Sequence, residues 1–229
     1  MYYDLHIHSA LSPCSDDEMT PNNIVNMAWI KELDLIAITD HNSMKQLNHL
    51  KAICENKIDF VYGVEIQSRE EIHVLAYFLK DCAIDSVQDW LDTYLIAMPN
   101  DPNYYGNQLF FDAEDNIIAR EERLLITSLD LDLKSIIDAV HKFNGIAVLA
   151  HVMSKKYSVT NVFRKIPQDL DYDGLEVVNA DEIKELEKQF PNLKETVYFI
   201  SSDAHQLVDI SEAVQEMDET TFYGLWRKH

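Results

Sequence analysis

Apolar runs that alternate with helical stretches are the feature that most constrains this chain. Residues 34–39 (DLIAIT) and 146–150 (IAVLA) form almost unbroken apolar runs, which are typical of buried parallel strands. Thr20-Pro21 predicts the start of a helix, because threonine is a good N-cap and proline suits the first helical position. Strand and helix alternate from Tyr2 to Ile66, which predicts an α/β fold.

The predicted strands bring polar residues to one edge of the fold. About seven strands are expected, over residues 2–8, 34–39, 58–66, 72–78, 146–150, 174–178 and 197–201. Histidine and carboxylate side chains recur near the ends of these strands, where barrels and doubly wound sheets place their active sites. Periodicity alone does not distinguish a barrel from an open sheet.

The stretch from Asp81 to Leu133 interrupts the alternation. It contains two prolines, a glycine and the pair Tyr104-Tyr105, and it has no clear periodicity. We expect an inserted lid or subdomain of helix plus loop, which returns to the fold through a helix over residues 134–143. The whole chain, residues 1–229, is then a single domain with this insert.

Composition excludes several classes of protein. The formal net charge of −21 argues against a broad nucleic-acid surface, although bound metal ions can still hold a nucleotide substrate. No apolar run approaches the ~20 residues of a membrane span, and the N-terminus lacks a signal-peptide pattern, so we expect a cytoplasmic protein. The three cysteines have no C-x-x-C spacing, which indicates neither a disulfide framework nor a zinc knuckle.

His6 and His8 are the first candidate metal ligands. Side chains two positions apart in a strand point to the same side, with backbones about 6–7 Å apart, so both imidazoles can reach one metal ion. A satisfied pair in the core is the alternative for these two residues alone. Further ligand-type residues lie at or near other strand ends: Asp16, His41, Glu65, His73, His151, Asp203 and His205. Six histidines together with three carboxylates suit a polynuclear metal site.

The motifs around these residues resemble those of the PHP (polymerase and histidinol phosphatase) domain. They are, in family order, H-x-H at 6–8, S-D at 15–16, T-D-H-N at 39–42, G-V-E at 63–65, H-V-L at 73–75, A-H at 150–151 and S-D-A-H at 202–205. The resemblance covers residues 1 to about 80 and 145 to about 206. It implies a distorted (β/α)7 TIM-like barrel that holds three divalent metal ions, namely manganese, iron or zinc, with magnesium as a further option.

The resemblance also implies a role for each ligand. It assigns His6, His8, Glu65 and Asp203 to the first metal. Glu65 would bridge to the second metal, which His73 and His151 also bind. The third metal would take Asp16, His41 and His205. A hydroxide that bridges the metals would attack phosphorus, with Glu65 and His205 as catalytic ligands and Asp40 as a catalytic residue that orients ligands or waters.

The chain departs from the family pattern at two positions. Asp17 stands where the family usually has glycine, which leaves open whether Asp16 or Asp17 is the ligand. Val152 stands where the family usually has proline. Cys14, which is close to Asp16 in sequence, is a further candidate ligand, although a free cysteine is more often a small apolar residue.

The expected substrate is a small phosphorylated molecule. The loop around Ser15-Asp16, with Met19-Thr20-Pro21 after it, resembles that of phosphoesterases acting on nucleoside 3′,5′-bisphosphates and short oligonucleotides. Lys155 and Arg164 are the main candidate phosphate contacts. Other candidates are Lys156, Arg120 and Arg123 for phosphate and the tyrosine pair at 104–105 for stacking on a base, although surface and packing roles are common for such residues.

Two alternatives differ from a phosphoesterase in class. One is a metal-stabilised binding or regulatory PHP module without turnover, against which the complete ligand set argues. The other is an amidohydrolase, a class that generally needs a ligand lysine after a strand in the middle of the barrel; no lysine lies at such a position.

Overall fold

The computed structural model describes residues 1–153 and 156–228. Within these ranges lie ten strands: β1 (Tyr3–Ile7), β2 (Leu35–Ile38), β3 (Asp59–Phe60), β4 (Tyr62–Gln67), β5 (His73–Phe78), β6 (Leu109–Phe111), β7 (Ile117–Arg120), β8 (Ile146–Leu149), β9 (Gly174–Val177) and β10 (Val197–Ile200). The α-helices are α1 (Pro21–Ile30), α2 (Leu50–Cys54), α3 (Ile84–Tyr94), α4 (Leu133–Lys142), α5 (Val159–Phe163), α6 (Ala180–Gln189) and α7 (Glu219–Gly224). In the described part of the chain, no helix has the length and apolar character needed to cross a membrane.

The strands form two main sheets around a common interior. One sheet has the order β1-β2-β3 and is parallel, and the other has the order β10-β9-β8-β5-β4. Isolated bridges join the two sheets, between Ile7 and Ala204 and between His41 and Glu65. The α/β class is therefore confirmed, but the described strands do not show a closed barrel.

Strand β5 is the main departure from the expected (β/α)7 arrangement. It runs antiparallel to both of its neighbours, β4 and β8. The reason is the short link between β4 and β5, residues 68–72, because a parallel pair needs a crossover of about a dozen residues or more. This reversal places the start of β5 at the edge where β1, β2 and β8 end.

The interior between the sheets is filled by alternate strand residues. A buried cluster contains Tyr3 and Leu5 from β1, Tyr77 from β5 and Phe199 from β10, and Phe222 of α7 closes it from one end. A second, larger buried cluster includes residues of the helices, among them Ile24 of α1, Val87 of α3 and Ile136 of α4. The opposite end of the interior is left for the polar residues at the strand ends.

Helix α1 begins as its sequence predicts, whereas residues 43–55 form no single long helix. The Thr20 side chain accepts a hydrogen bond from the Asn23 backbone N–H, and Pro21 is the first helical residue. A 3-10 turn over Lys45–His49 precedes the short α2. Gln46 in that turn is buried, and its side-chain amide bonds to both backbone groups of Phe111 in β6.

The segment 81–133 contains α3 and a β-hairpin, β6–β7, which the sequence did not reveal. Its later part is fixed over the site edge, because the Asn42 side chain donates to the carbonyls of Leu125 and Thr127, both at 2.7 Å. Its hairpin is also attached to the first loop, where Leu109 N–H donates to the Ala10 carbonyl at 2.8 Å. Several hydrogen bonds therefore hold the insert in this position.

Candidate metal centre

The predicted histidines and carboxylates converge where the strand ends meet. His6 is in β1 and His8 follows it, His41 follows β2, and Glu65 is in β4. The antiparallel direction of β5 brings His73, its first residue, to the same edge. Three clusters have ligand atoms close enough to share an ion: His6, His8 and Asp203; His8, His41 and His205; and His41, Glu65 and His73.

The first cluster centres on two ring nitrogens that face each other. The Nε2 atoms of His6 and His8 are 3.1 Å apart, and Asp203 Oδ1 lies 3.3 Å from the first and 3.2 Å from the second. The two Glu65 oxygens lie 3.4 Å from these same nitrogens. Hydrogen bonding alone explains this arrangement poorly if both nitrogens carry lone pairs.

The hydrogen bonds of Ser12 determine which ring nitrogen of His8 carries a proton. A hydroxyl has one hydrogen, and that of Ser12 is donated to Asp40 Oδ1 at 2.7 Å. Ser12 Oγ must then accept from His8 Nδ1, 3.0 Å away, so the proton of neutral His8 is on Nδ1. The lone pair of Nε2 is left to face the site.

Glu176 determines in the same way which ring nitrogen of His6 carries a proton. It is not among the predicted site residues. Its carboxylate oxygens lie 3.0 and 3.1 Å from His6 Nδ1, so this nitrogen carries a proton and Nε2 faces the site. Glu176 is 2% exposed, and it lies in β9 between apolar neighbours. A carboxylate within the otherwise apolar run GLEV was the signal that could have found it.

Glu65 lies at the centre of the remaining ligands. Its Oε1 is 2.7 Å from His73 Nδ1 and 3.2 Å from His151 Nε2. Gln67 Oε1 accepts from His73 Nε2 at 3.0 Å, so in neutral His73 the lone pair of Nδ1 points at the Glu65 oxygen. A proton on His73 Nδ1 or a metal ion beside the two atoms would satisfy this contact.

Two further ring nitrogens are buried without hydrogen bonds to any described residue. They are Nδ1 of His41 and Nδ1 of His151. His41 Nδ1 lies 3.1 Å from Glu65 Oε2, but the orientation does not make a hydrogen bond. Buried nitrogens of this kind are costly unless a ligand binds them. The donor set therefore fits divalent ions of the first transition row, for which imidazole and carboxylate are ordinary ligands.

The third predicted metal position has only part of its ligands together. His205 lies with His8 and His41, and its Nδ1 is 2.8 Å from the Asp203 carbonyl oxygen. The Asp16 backbone N–H donates to the His205 carbonyl at 3.0 Å, but the Asp16 side chain is exposed and belongs to none of the three clusters. Asp17 is also exposed, and it accepts from Asn107 Nδ2 at 2.8 Å.

Asp40 lies behind the ligands. It is 1% exposed, and it accepts hydrogen bonds from the Ser9 backbone and hydroxyl and from the Ser12 hydroxyl. Burial raises the pKa of Asp40, although these hydrogen bonds and the charge of His8 oppose that rise. Its connection to the site thus passes through Ser12 to His8.

The electrostatic balance of the site favours a cation. Burial lowers the pKa of His6, but Glu176 and Glu65 outweigh this effect and raise it to about 10. Burial raises the pKa of Glu65, but the surrounding histidines hold it well below its ordinary value. Both directions show that positive charge near Glu65 is stabilised.

A cavity of about 260 Å³ opens onto these ligands. Its walls include Cys14, Ile126 from the insert and Tyr157 beside the ligands. The Tyr157 ring stacks on the His73 ring with centroids 4.7 Å apart and planes 12° apart. A larger open groove of about 810 Å³ elsewhere on the surface contains none of the predicted ligands.

The predicted phosphate and base contacts are not gathered at this cavity. Arg123 pairs with Glu121 and Asp92, and Arg120 donates to Asn107 at 2.7 Å. Arg164 is exposed and bonds to Asn161, whereas Lys156 lies 5.0 Å from the centre of the Tyr157 ring. Tyr104 is 79% exposed and packs edge-on against Tyr105. Lys155 lies outside the described residues.

Known proteins share this fold and part of this sequence. A 5′–3′ exoribonuclease from Haemophilus influenzae is 23% identical, and the match covers 80% of this chain and 81% of that protein. A candidate metal-dependent phosphoesterase from Bifidobacterium adolescentis is 16% identical, with a TM-score of 0.68 over 99% of this chain and 96% of that one.

A lesion-specific endonuclease from Pyrococcus furiosus is 19% identical, with a TM-score of 0.59. The match covers 90% of this chain but only 48% of the endonuclease, so this chain spans about half the length of that enzyme.

The family model described as the PHP domain matches residues 4–217. This match includes every predicted metal ligand, from His6 to His205. With it, the prediction of an enzyme of the metal-dependent phosphoesterase class is confirmed at the level of the family. The α/β fold and the convergence of histidines on Glu65 agree with this sequence match. The chain therefore belongs to the PHP domain family.

Proposed function

We propose that this protein hydrolyses a phosphomonoester or a short nucleotide phosphodiester at a centre of three divalent metal ions. The observation that carries the proposal is that His6, His8 and His73 each turn one ring nitrogen towards the site. Each of these rings has its other nitrogen bonded to Glu176, Ser12 or Gln67. Manganese, iron or zinc suits these ligands, and magnesium is a further option.

The ligands divide among three positions in the proposal. His6, His8, Glu65 and Asp203 would hold the first ion, Glu65 with His73 and His151 the second, and His41, His205 and Asp16 the third. Bound ions of this kind activate water and neutralise charge on a phosphoryl group. Glu65 keeps the first two positions adjacent, because both of its oxygens contact histidines from different strands.

Residues around the ligands would act on substrate and solvent. Tyr157 and Ile126 form an apolar part of the cavity wall, which limits the access of bulk water. Among the residues of the three clusters, Asp203 and His205 are partly accessible, with side chains 13% and 30% exposed, so a substrate would contact them. Asp40 would act through Ser12, by fixing the orientation of His8.

The size of the cavity supports a small reacting group. About 260 Å³ accommodates a phosphoryl group with a sugar or base beside it, but not a length of duplex. The relative named as a 5′–3′ exoribonuclease supports a nucleotide substrate. We therefore propose that a terminal phosphate or terminal nucleotide is the group that enters.

Metal content and phosphate release from the purified protein test the proposal together. We expect about three first-row metal ions per chain by elemental analysis, and release of phosphate or nucleotide from nucleoside 3′,5′-bisphosphates or 5′-phosphorylated oligoribonucleotides. His6→Ala and Asp203→Ala should abolish hydrolysis and lower metal content. His49→Ala removes an imidazole outside the site and should leave both unchanged.

The other outcomes are equally informative. Bound metal without hydrolysis of any nucleotide or sugar phosphate would favour a metal-stabilised binding module. Hydrolysis that survives both His6→Ala and Asp203→Ala would contradict the assignment of the site.

A further inference from the structure

We propose that Glu176 is a positioning residue that orients two metal-binding histidines at once. It presents one carboxylate to the His6 side chain and to the His151 backbone. This inference rests on the metal centre of the proposed function, and metal binding by the unaltered protein tests that centre separately.

The contact with His6 determines which ring nitrogen faces the site. Glu176 has no proton to give when ionised, so it can only accept from His6 Nδ1. The lone pair of Nε2 then points towards His8 and Asp203. A glutamine here could satisfy His6 through its amide oxygen, but its NH2 group would then face the other donor described next.

The second donor is the backbone N–H of His151, which is 2.9 Å from Glu176 Oε2. His151 has a positive φ of 32°, in the left-handed region that residues other than glycine rarely adopt. The adjacent Val152 N–H donates to the Glu176 carbonyl at 2.8 Å, so β9 holds this turn by both backbone and side chain. The turn directs the His151 ring towards Glu65, where Nε2 lies 3.2 Å from Oε1.

Both contacts depend on the same carboxylate and on its burial. The two histidines belong to different metal positions in the proposed centre. Loss of Glu176 should therefore weaken binding at both positions, although the residue binds no metal itself.

Asp173 provides a matched control within the same segment. It is also buried, and its carboxylate also accepts from a histidine ring and a backbone N–H, namely His141 Nε2 and Ala147 N, both at 2.9 Å. His141 lies outside the metal site. Asp173→Asn thus disturbs the same kind of buried contact without reaching a metal ligand.

The experiment compares Mn²⁺ binding by the unaltered protein, Glu176→Gln and Asp173→Asn, using equilibrium dialysis followed by elemental analysis. We expect Glu176→Gln to weaken Mn²⁺ binding about 10–100-fold, the usual effect of losing a hydrogen-bond partner of a metal ligand. Asp173→Asn should change the affinity less than about 2-fold, even if the thermal midpoints of the two variants fall by similar amounts.

A spectroscopic measurement separates positioning from general loosening of the structure. Nitrogen-15 spectra of the histidine rings, with His6 assigned through His6→Ala, should show a proton on Nδ1 in the zinc-loaded unaltered protein. That signal should be lost or shifted in Glu176→Gln and kept in Asp173→Asn.

Unchanged Mn²⁺ affinity in Glu176→Gln would overturn the proposal, and so would an equal loss in both variants. If Glu176→Gln does not fold, Glu176→Asp is judged by the same criteria, because its shorter side chain cannot reach both donors. Absence of Mn²⁺ binding in the unaltered protein would instead refute the metal centre itself.

Discussion

Single atoms decide how the histidines of this site are presented. An imidazole offers a lone pair to a metal only if its other nitrogen holds the proton, and three different partners fix that proton here. They are the Ser12 hydroxyl for His8, the Glu176 carboxylate for His6 and the Gln67 amide for His73. None of these three partners is itself a predicted ligand.

Ser12→Ala should weaken metal binding without removing a ligand. The substitution leaves His8 Nδ1 and the His41 N–H without their acceptor and takes one donor from buried Asp40. We expect about a 10-fold loss of Mn²⁺ affinity and about 1–3 kcal/mol less stability, measured by dialysis and by urea unfolding.

Ser15→Ala is the matched control in the same loop. The Ser15 hydroxyl is buried but makes no hydrogen bond to any described residue, so its loss should alter neither quantity appreciably. Equal metal affinity in the two variants would show that the Ser12 hydroxyl does not orient His8.

At the scale of elements, the insert and the first loop support each other. Gly106, with φ of +105°, brings the backbone of the insert against Pro13 in the loop that carries Cys14 and Asp16. Asn107 bonds to Asp17, and Thr20 donates to Asp115 in the β6–β7 hairpin at 2.5 Å. The insert therefore restrains the loop next to the metal ligands.

Gly106→Ala should destabilise this contact. An added Cβ would lie 2.0 Å from the Pro13 carbonyl oxygen, and the positive φ disfavours alanine as well. We expect a loss of about 2–3 kcal/mol in the free energy of unfolding, from strain that the backbone relieves only partly. Gly224→Ala, where an added Cβ meets nothing within 4 Å, should be neutral or slightly stabilising. Equal stability of the two variants would contradict the close approach.

The insert also carries a charge network that should make stability depend on pH. Glu121 accepts hydrogen bonds from Arg123 and from Lys45, whose Nζ is 2.9 Å away. Burial raises the pKa of Glu121, but these bonds outweigh it and lower the value to about 2. The folded-state pKa lies below the unfolded value of 4.5, so this contribution is present above pH 4.5 and lost towards pH 2.

Glu121→Gln should therefore lower the free energy of unfolding by about 1–2 kcal/mol at pH 5, and by progressively less as the pH falls to 2. The effect is limited because solvent screens this partly exposed network. Urea unfolding over this pH range measures the difference. Glu122→Gln, at the exposed neighbouring residue, should show little difference at any pH. A deficit in Glu121→Gln that stays constant with pH would contradict the network.

At the scale of the molecule, the two sheets meet where the acidic and imidazole groups are most concentrated. The bridges Ile7–Ala204 and His41–Glu65 that join the sheets each lie beside proposed ligands. Ions bound there would link residues from β1, β4 and β5 with the segments after β2, β8 and β10. Metal binding should thus stabilise the whole fold.

Removal of metal should lower the thermal midpoint of the protein. Treatment with a chelator should decrease it, and added Mn²⁺ should restore it in a concentration-dependent way. At a hundredfold excess over the dissociation constant, binding adds about 2.7 kcal/mol to the free energy of unfolding. His6→Ala should show a much smaller response to Mn²⁺ in calorimetry. An unaltered midpoint after complete metal removal would contradict a structural contribution of the centre.

Local sequence patterns were enough to predict the α/β class, the start of α1, the main strands and the ligand types at their ends. These depend on local patterns: apolar runs, a threonine cap, and histidines at fixed offsets from a strand. His6, His8, Glu65 and His73 could be singled out for this reason, before their distances were known. The family motifs placed them in order along the chain.

The orientation of those residues depends on contacts between segments that are far apart in the sequence. Glu176 is 170 positions from His6, and no periodic pattern connects a carboxylate in one strand with a ring in another. The reversal of β5, the two-sheet arrangement and the attachment of the insert to Asn42 likewise arise from packing between distant segments. Local sequence encodes which groups are available, but long-range hydrogen bonds determine which atom of each group faces the site.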